Sequence, residues 1–248
     1  MAEIKLDKID TRAPKNFDKE KIKAKLPEIY KQLDELQNVL YAQSKYSVLI
    51  VLQGMDAAGK DGLIKNVFSS VNPQGIMVQS YKVPTAEELS HDFLWRIHKH
   101  APAKGMIQVF NRSHYEDIIV TRVHKMIDDE MASKRMKAIN DFEELLTEHN
   151  NTIIFKFYLH VSAEEQHSRL EERIHDVTKQ WKYNEQDFVE SALRKEYLKA
   201  YEDCFKHCNK IKWTIVPADQ NWYKEYLVAI TLCDALKKLN MQYPGIKK

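Results

Sequence analysis

Glycine is scarce in this chain, with six in 248 residues, and cysteine is scarcer, with three: Cys204, Cys208 and Cys233. An odd number of cysteines confined to the last quarter does not make a disulfide framework, and a reducing, cytoplasmic setting is expected. No apolar run approaches the roughly 18 residues of a spanning helix, so no membrane partner is expected. The opening MAEIKLDKID has no apolar stretch of the kind a secretory signal carries. An excess of one charge is missing too. Thirty-eight basic against 36 acidic residues leave a formal charge of +2, which argues against bulk nucleic-acid binding while leaving room for a local basic groove. What is present is a hydrophobic fraction of 44%, enough for a core and too much for a disordered chain. The length is ordinary for a single α/β domain.

Scarcity makes the distribution of glycine informative. Gly54, Gly59 and Gly62 fall within nine residues, and glycine costs backbone entropy wherever it is used. The stretch Gly54-Met-Asp-Ala-Ala-Gly59-Lys60-Asp61-Gly62 follows a β-branched apolar run, 46–53, and precedes a helical pattern. That is the setting of a phosphate-binding loop. Bare backbone lets N–H groups from Ala58 to Gly62 approach phosphate oxygens, and a helix N-terminus adds its positive dipole end. Lys60 would reach terminal phosphates as a point charge. Two features depart from the usual loop. Asp61 stands where a magnesium-binding hydroxyl is normal, and Asp56 puts a carboxylate beside the phosphates, which is reasonable if a divalent cation lies between them. A tight strand-to-helix turn with an incidental lysine is the plainer reading of the same residues.

Further short apolar runs at 76–81, 106–110, 152–159 and 213–217 read as strands. Helical patterns cover 18–44, 113–127, 132–149, 185–207 and 220–239, with Pro27 expected to interrupt or bend the first. Thr85-Ala-Glu-Glu88 and Ser162-Ala-Glu-Glu165 are capping-box patterns opening two more helices. Alternating strands and helices predict an α/β fold, a parallel sheet with helices on both faces. Residues 1–17 are polar, without periodicity, and read as an N-terminal arm. Residues 1–248 read as one domain with a helical excursion at about 163–208.

Ligands of open α/β sheets bind beyond the carboxyl ends of the strands. Asn111-Arg-Ser-His-Tyr-Glu-Asp117 follows one such strand and would share the crevice of the glycine loop. Arg112 can neutralise a transferring phosphoryl group. Asn111 occupies a place where a strand-end carboxylate often helps hold magnesium, and as a neutral amide it can only assist. Glu116 and Asp117 are adjacent, so on a helix at most one faces a metal. A charged helix start explains the two acids but not Arg112. Arg122 could extend a basic track. His114 and His124 read as helix-surface or packing histidines. After the second strand, Lys82 could meet an anionic acceptor, with Arg96 on the following helix. In the excursion, Arg169 and Arg173 share a helix face. It reads equally as a water-excluding lid or as a solvated helix with pairs such as Glu165 and Arg169. Trp181 could pack the lid or face a base.

GMDAAGKDG, YKVPT…ELSHDFLWR, FNRSHYED…TRVH, RLEERI…KQWKY, AYED and PAD…WY, in this order from about residue 35 to 240, resemble the polyphosphate kinase 2 family. FNRSHYED resembles the subgroup that phosphorylates both nucleoside mono- and diphosphates. The resemblance implies a P-loop kinase fold like that of thymidylate kinase, with a five-stranded parallel sheet and a helical lid. It implies reversible transfer between inorganic polyphosphate and AMP or ADP, with guanine nucleotides as further candidates, and a requirement for Mg²⁺ or Mn²⁺. Polyphosphate would occupy the glycine loop as donor. Asp56 would be a metal and acceptor-phosphate carboxylate, with Asn111 and Glu116 as further metal candidates. Ala58, Gly59, Lys60, Asp61 and Gly62 would form the phosphate cradle. Asn111, Arg112, Glu116 and Asp117 would form the strand-end group, the two acids being tied to monophosphate use. Arg122, Arg173 and Lys182 would line the polyphosphate path. A homo-oligomer, dimer or tetramer, is implied as well. One departure is Ser191 and Arg194, where relatives tend to carry Arg and Trp.

Two other functions fit parts of the pattern. An ATP-dependent nucleoside monophosphate kinase would use the same fold, and Asp61 in place of the hydroxyl disfavours it. A non-enzymatic helical or nucleic-acid-binding module is disfavoured by the near-neutral charge and the lack of a sustained basic face.

Overall fold

The computed structural model describes residues 4–246. Five strands form one parallel sheet: β1 (Ser47–Gln53), β2 (Ile76–Ser80), β3 (Ile107–Asn111), β4 (Thr152–His160) and β5 (Trp213–Pro217), in the spatial order β2-β3-β1-β4-β5. β1 lies at the centre and is buried at all seven positions, as its unbroken Val-Leu-Ile-Val-Leu run requires in a sheet covered on both faces. Its partners diverge to the two sides, so the chain leaves β1 at a topological switch point, where open α/β sheets bind ligands. Register brings Leu52 opposite Asn111 and Gln53 opposite Tyr158, so the turns after β1, β3 and β4 open at one level.

The helices are α1 (Lys19–Gln43), α2 (Lys60–Val67), α3 (Ala86–Leu89), α4 (Trp95–His98), α5 (Glu116–Val123), α6 (Asp129–Asn150), α7 (Ala163–His175), α8 (Glu185–Ala192), α9 (Arg194–His207) and α10 (Asn221–Lys237). All five expected strands are present, with small shifts at the ends. Several helices differ from expectation. α1 continues through Pro27 unbroken. A proline inside a helix costs about 3 kcal/mol, but Ile22, Leu26, Ile29, Leu33 and Leu40 form a continuous buried face that packs along α10. The helix expected from residue 113 starts only at Glu116. Arg112 has φ 62° and the Ser113 hydroxyl accepts from the Tyr115 N–H, which holds a turn there. The span 185–207 is two helices meeting at Leu193. The second, α9, buries Tyr197, Ala200, Tyr201, Cys204 and Phe205 in the core. Thr85 makes a complete capping box. Ser162 accepts from the Glu165 N–H, but the Glu165 carboxylate takes Arg169 instead of returning to the cap.

The N-terminal arm is docked. Leu6 is fully buried, and its N–H donates to Glu202 at 2.7 Å. Thr11 donates its hydroxyl to Asp219 at 2.7 Å, and the Ala13 N–H donates to Gln220. One polar cluster lies wholly inside the fold. Lys156 on β4 donates to Glu143 on α6 (2.8 Å), to the Tyr115 hydroxyl (2.9 Å) and to the Cys208 carbonyl (2.9 Å), with His114 against Glu143 at 3.4 Å. His114 is thus a packing residue, as expected. Among the described residues no helix is long and apolar enough to cross a membrane.

Candidate active site

Between β1 and α2 the backbone is forced into unusual conformations. Gly54 has φ 150°, and an added Cβ would lie 2.8 Å from the Leu159 carbonyl oxygen. Gly59 has φ 90°, and a Cβ there would meet the Lys224 ammonium at 2.3 Å. Neither position admits another residue without displacing its neighbour. Gly62 is different: nothing lies within 4 Å of an added Cβ, so packing requires only two of the three clustered glycines. Gly62 lines the open cleft. Ala57, a non-glycine, sits at φ 59°, a strained conformation of the kind found at functional sites.

The carbonyls of this loop are bonded away from the cleft. Lys60 donates to the Gly54 and Met55 carbonyls at 2.7 and 3.1 Å. Gln166 of α7 donates to the Asp56 carbonyl, and Arg169 to those of Ala57 and Ala58. Lys224 of α10 donates to the Ala58 carbonyl at 3.2 Å. No side chain caps the N-terminus of α2, and helix geometry leaves its first N–H groups without intrahelical partners. The loop is therefore built to offer donors to an anion. Burial pushes the Lys60 ammonium down to about 8, aided by the nearby Arg112 cation; Asp56, Glu116 and Asp61 oppose this.

The end of β3 faces the loop. Arg112 pairs with the Asp56 carboxylate and lies 3.6 Å from Glu116. Burial raises the Glu116 carboxyl above the usual range, although Arg112 and Lys60 pull it down. Asp117 turns the other way, onto Arg96 at 3.2 Å. Asn111 donates its amide to Asp61 at 2.9 Å, and Lys182 pairs with the other Asp61 oxygen at 2.7 Å. Burial acts to raise the Asp61 carboxyl, but hydrogen bonds from Lys182 and Asn111 hold it below its ordinary value.

A cleft of about 820 Å³ joins these groups. One wall is the loop, with Asp56, Gly59, Lys60, Asp61 and Gly62; Asn111 and Arg112 form the back; Tyr81, Lys82 and Val83 lie to one side. The far wall comes from the helical excursion, with Arg173 at the end of α7, Lys179, Trp181, Lys182 and Tyr183 beyond it, and Asp187 on α8. Arg173 pairs with Asp187, and Lys179 with Glu172. The expected pair of Glu165 and Arg169 forms at 2.8 Å on the same helix that carries Arg173 into the cleft, so helix pairing and cleft lining coexist.

Most residues singled out from the sequence thus converge. Five stand apart from the cleft lining. Ala58 is fully buried in the loop, and Glu116 lines a smaller adjoining hollow with Asp56, Arg112, Tyr197 and Tyr201. Arg122 is held by Asp203 (2.8 Å) and Asp129 (2.7 Å). Arg96 is buried and donates to the Lys82 carbonyl, so it supports the β2 turn. Asp117 is engaged with Arg96. Several residues of the site carried no assigned role. Gln53 at the end of β1 donates to Ser113 and accepts from Tyr201. Lys224 lies beneath the loop, and its spacing to the buried Val228, Leu232 and Leu236 was the available signal.

Asp56 and Glu116 offer carboxylate oxygens and Asn111 an amide oxygen, a hard donor set suited to Mg²⁺ or Mn²⁺. Among the described residues no three acidic, histidine or cysteine side chains converge as a ready cage. A cation here would take its remaining ligands from phosphate and water, as magnesium habitually does.

The family model described as polyphosphate kinase 2 matches residues 16–244. The chain is 44% identical over 216 residues to the AMP/ADP-polyphosphate phosphotransferase of Meiothermus ruber, covering 86% of this chain and 80% of that one. It is 40% identical over 227 residues to the ADP-polyphosphate phosphotransferase of Rhodopseudomonas palustris, covering 86% and 78%. A crystal structure of polyphosphate kinase 2 from Arthrobacter aurescens superposes with a TM-score of 0.95 at 39% identity, covering all of this chain and 90% of that one.

Proposed function

The chain belongs to the polyphosphate kinase 2 family, and on that premise we propose that it moves phosphoryl groups reversibly between inorganic polyphosphate and AMP or ADP, with guanine nucleotides as further acceptors. The observation that carries this reading is the composition of the cleft. A loop offering backbone N–H groups faces a wall of excursion cations, Arg173, Lys179 and Lys182, a track longer than a single phosphate needs.

In this reading residues 1–248 act as one P-loop kinase domain, with 1–17 as an arm and about 163–208 as the lid region. The N–H groups of Ala58 to Gly62 and the Lys60 ammonium hold the donor phosphates. Asp56 and Glu116, assisted by Asn111, would hold a divalent cation, which when bound supplies charge neutralisation between donor and acceptor. Arg112, already between Asp56 and Glu116, meets the charge of the transferring group as it leaves polyphosphate. The terminal phosphoanhydride is already activated, so positioning and charge dispersal suffice and no covalent enzyme intermediate is needed. Arg173 and Lys182 exchange Asp187 and Asp61 for polyphosphate oxygens as the chain threads the cleft. Lys82 faces the acceptor side, beside the turn that Arg96 supports. A cytoplasmic homo-oligomer, dimer or tetramer, completes the reading; the edge strand β2, with Met77 and Val78 exposed, offers a surface for association.

The deciding experiment supplies ADP, Mg²⁺ and long-chain polyphosphate with no other donor. ATP must accumulate, and AMP in place of ADP must yield ADP. Phosphorylation of AMP by ATP, with no product from polyphosphate, would establish an ATP-dependent monophosphate kinase instead.

A further inference from the structure

Arg194 sits in the first turn of α9, half-buried and away from the cleft lining. Its guanidinium donates to the side-chain oxygen of Gln166 on α7 at 2.8 Å and to the Val161 carbonyl beyond β4. The Gln166 amide in turn donates to the Asp56 carbonyl at 3.2 Å. Gln166 is buried to 1% exposure, so water does not substitute for either partner. Its orientation is fixed by chemistry. A guanidinium has no acceptor and a carbonyl no donor, so the glutamine oxygen must face Arg194 and its nitrogen Asp56.

The bond lands on a strained peptide. Ala57 is at φ 59°, and the peptide before it is the one that Gln166 holds. The peptide after it is held through the Ala57 carbonyl by Arg169, one turn along the same helix. Asp56 meets Arg112 through its side chain, so rotation of its peptide redirects the carboxylate that faces the reacting phosphates.

We propose that Arg194, acting through Gln166, is a positioning residue for the Asp56 carboxylate. Helix α9 is anchored in the core through Tyr197, Tyr201 and Phe205, so the relay ties the metal-side acid to the rigid part of the fold. It rests on the phosphotransfer reading above, in which Asp56 faces the reacting phosphates.

The discriminating variant is Gln166→Glu. A carboxylate at this place keeps and strengthens the contact with Arg194, but presents an oxygen to the Asp56 carbonyl. Melting temperature should be unchanged or raised. With ADP and polyphosphate as substrates, kcat should fall about tenfold, while the KM for polyphosphate moves less than twofold, because misplacement of a reacting group taxes the chemical step. Arg194→Met should lower kcat comparably, and the double variant should be no worse than the poorer single one. Arg194→Lys, which still donates, should recover part of the loss. If Gln166→Glu keeps kcat within twofold of wild type while Arg194→Met does not, the link is merely structural and the proposal fails. If Asp56→Asn itself stays active, the reading beneath the proposal fails instead.

Discussion

Among the described residues three lysines are buried, and they are buried in two different ways. Lys156, in the interior, has a carboxylate, a phenol and a carbonyl as partners. Lys60 and Lys224, at the glycine loop, donate to neutral oxygens: Gly54 and Met55 for the first, Ala58 and Asn221 for the second. A buried ammonium without a carboxylate against it keeps most of its desolvation cost. Lys156 has its counter-charge within the chain, in Glu143 at 2.8 Å, whereas among the described residues no carboxylate comes within salt-bridge distance of Lys60 or Lys224. In the phosphotransfer reading, the difference separates a charge that serves the fold from charges that serve a ligand.

The sharpest way to break this comparison is Lys156→Met. Glu143 would then be a buried carboxylate without its cation, a change that costs about 3–5 kcal/mol and lowers the melting temperature by roughly 10 °C for a chain of this size. Adding Glu143→Leu should recover at least half of the loss, because the unpaired charge is then gone. At low temperature the folded variants should still turn over substrate, since no member of the cluster lines the cleft. A single variant melting within about 2 °C of wild type would show that the interior pair contributes little.

Lys60→Ala tests the other half. Turnover should fall by about 10²–10³-fold, as when one transition-state donor is lost. The melting temperature should change far less than in Lys156→Met, because a costly buried ammonium has been removed along with its two carbonyl contacts. Transfer at the wild-type rate would leave Lys60 a structural cap on its own loop.

How much of this was legible in the sequence follows from the range of each interaction. The strands were legible because β1 and its neighbours are short apolar runs bounded by turn residues. The loop was legible because Gly54 and Gly59 stand out in a chain that avoids glycine. Arg112 was legible because it lies one residue past a strand end. The rest depended on distant partners. Glu116 and Asp117 are neighbours in sequence, and which one faces Asp56 is set by how α5 sits beside α9 and by Arg96 from another segment. The docking of the arm rests on Leu6, with Ile4 and Ile9 also packed on the core, apolar residues too sparse in a polar stretch to form a pattern. Lys224 looks like a surface lysine until its stripe with Val228 and Leu232 is seen to face the core. Gln166 carries no signal of its own, since its meaning lies in a carbonyl 110 positions earlier.

The smallest effect sharpens the comparison through pH. Burial lowers Lys224 to about 7, with Arg169 and Lys60 adding to the shift, and Lys60 to about 8. Both lie below the 10.5 of an exposed lysine. Between its folded and unfolded values, each lysine binds fewer protons in the native state than in the unfolded chain, so stability rises with pH across that window, by up to about 1.4 kcal/mol per pH unit per group. The opposing groups enter later. Burial raises Cys204, Cys208 and Cys233 above 9, so unfolded thiols ionise first and erode stability from about pH 9 upward. From pH 7 to 8.5 the two lysines act almost alone, and the ligand-free protein should melt a few degrees higher at pH 8.5 than at pH 7. In the phosphotransfer reading, polyphosphate at the loop would supply counter-charge, lift both lysines towards 10.5, and flatten that rise. A ligand-free melting temperature that falls over this interval would mean that the two loop lysines are already compensated from within, as Lys156 is.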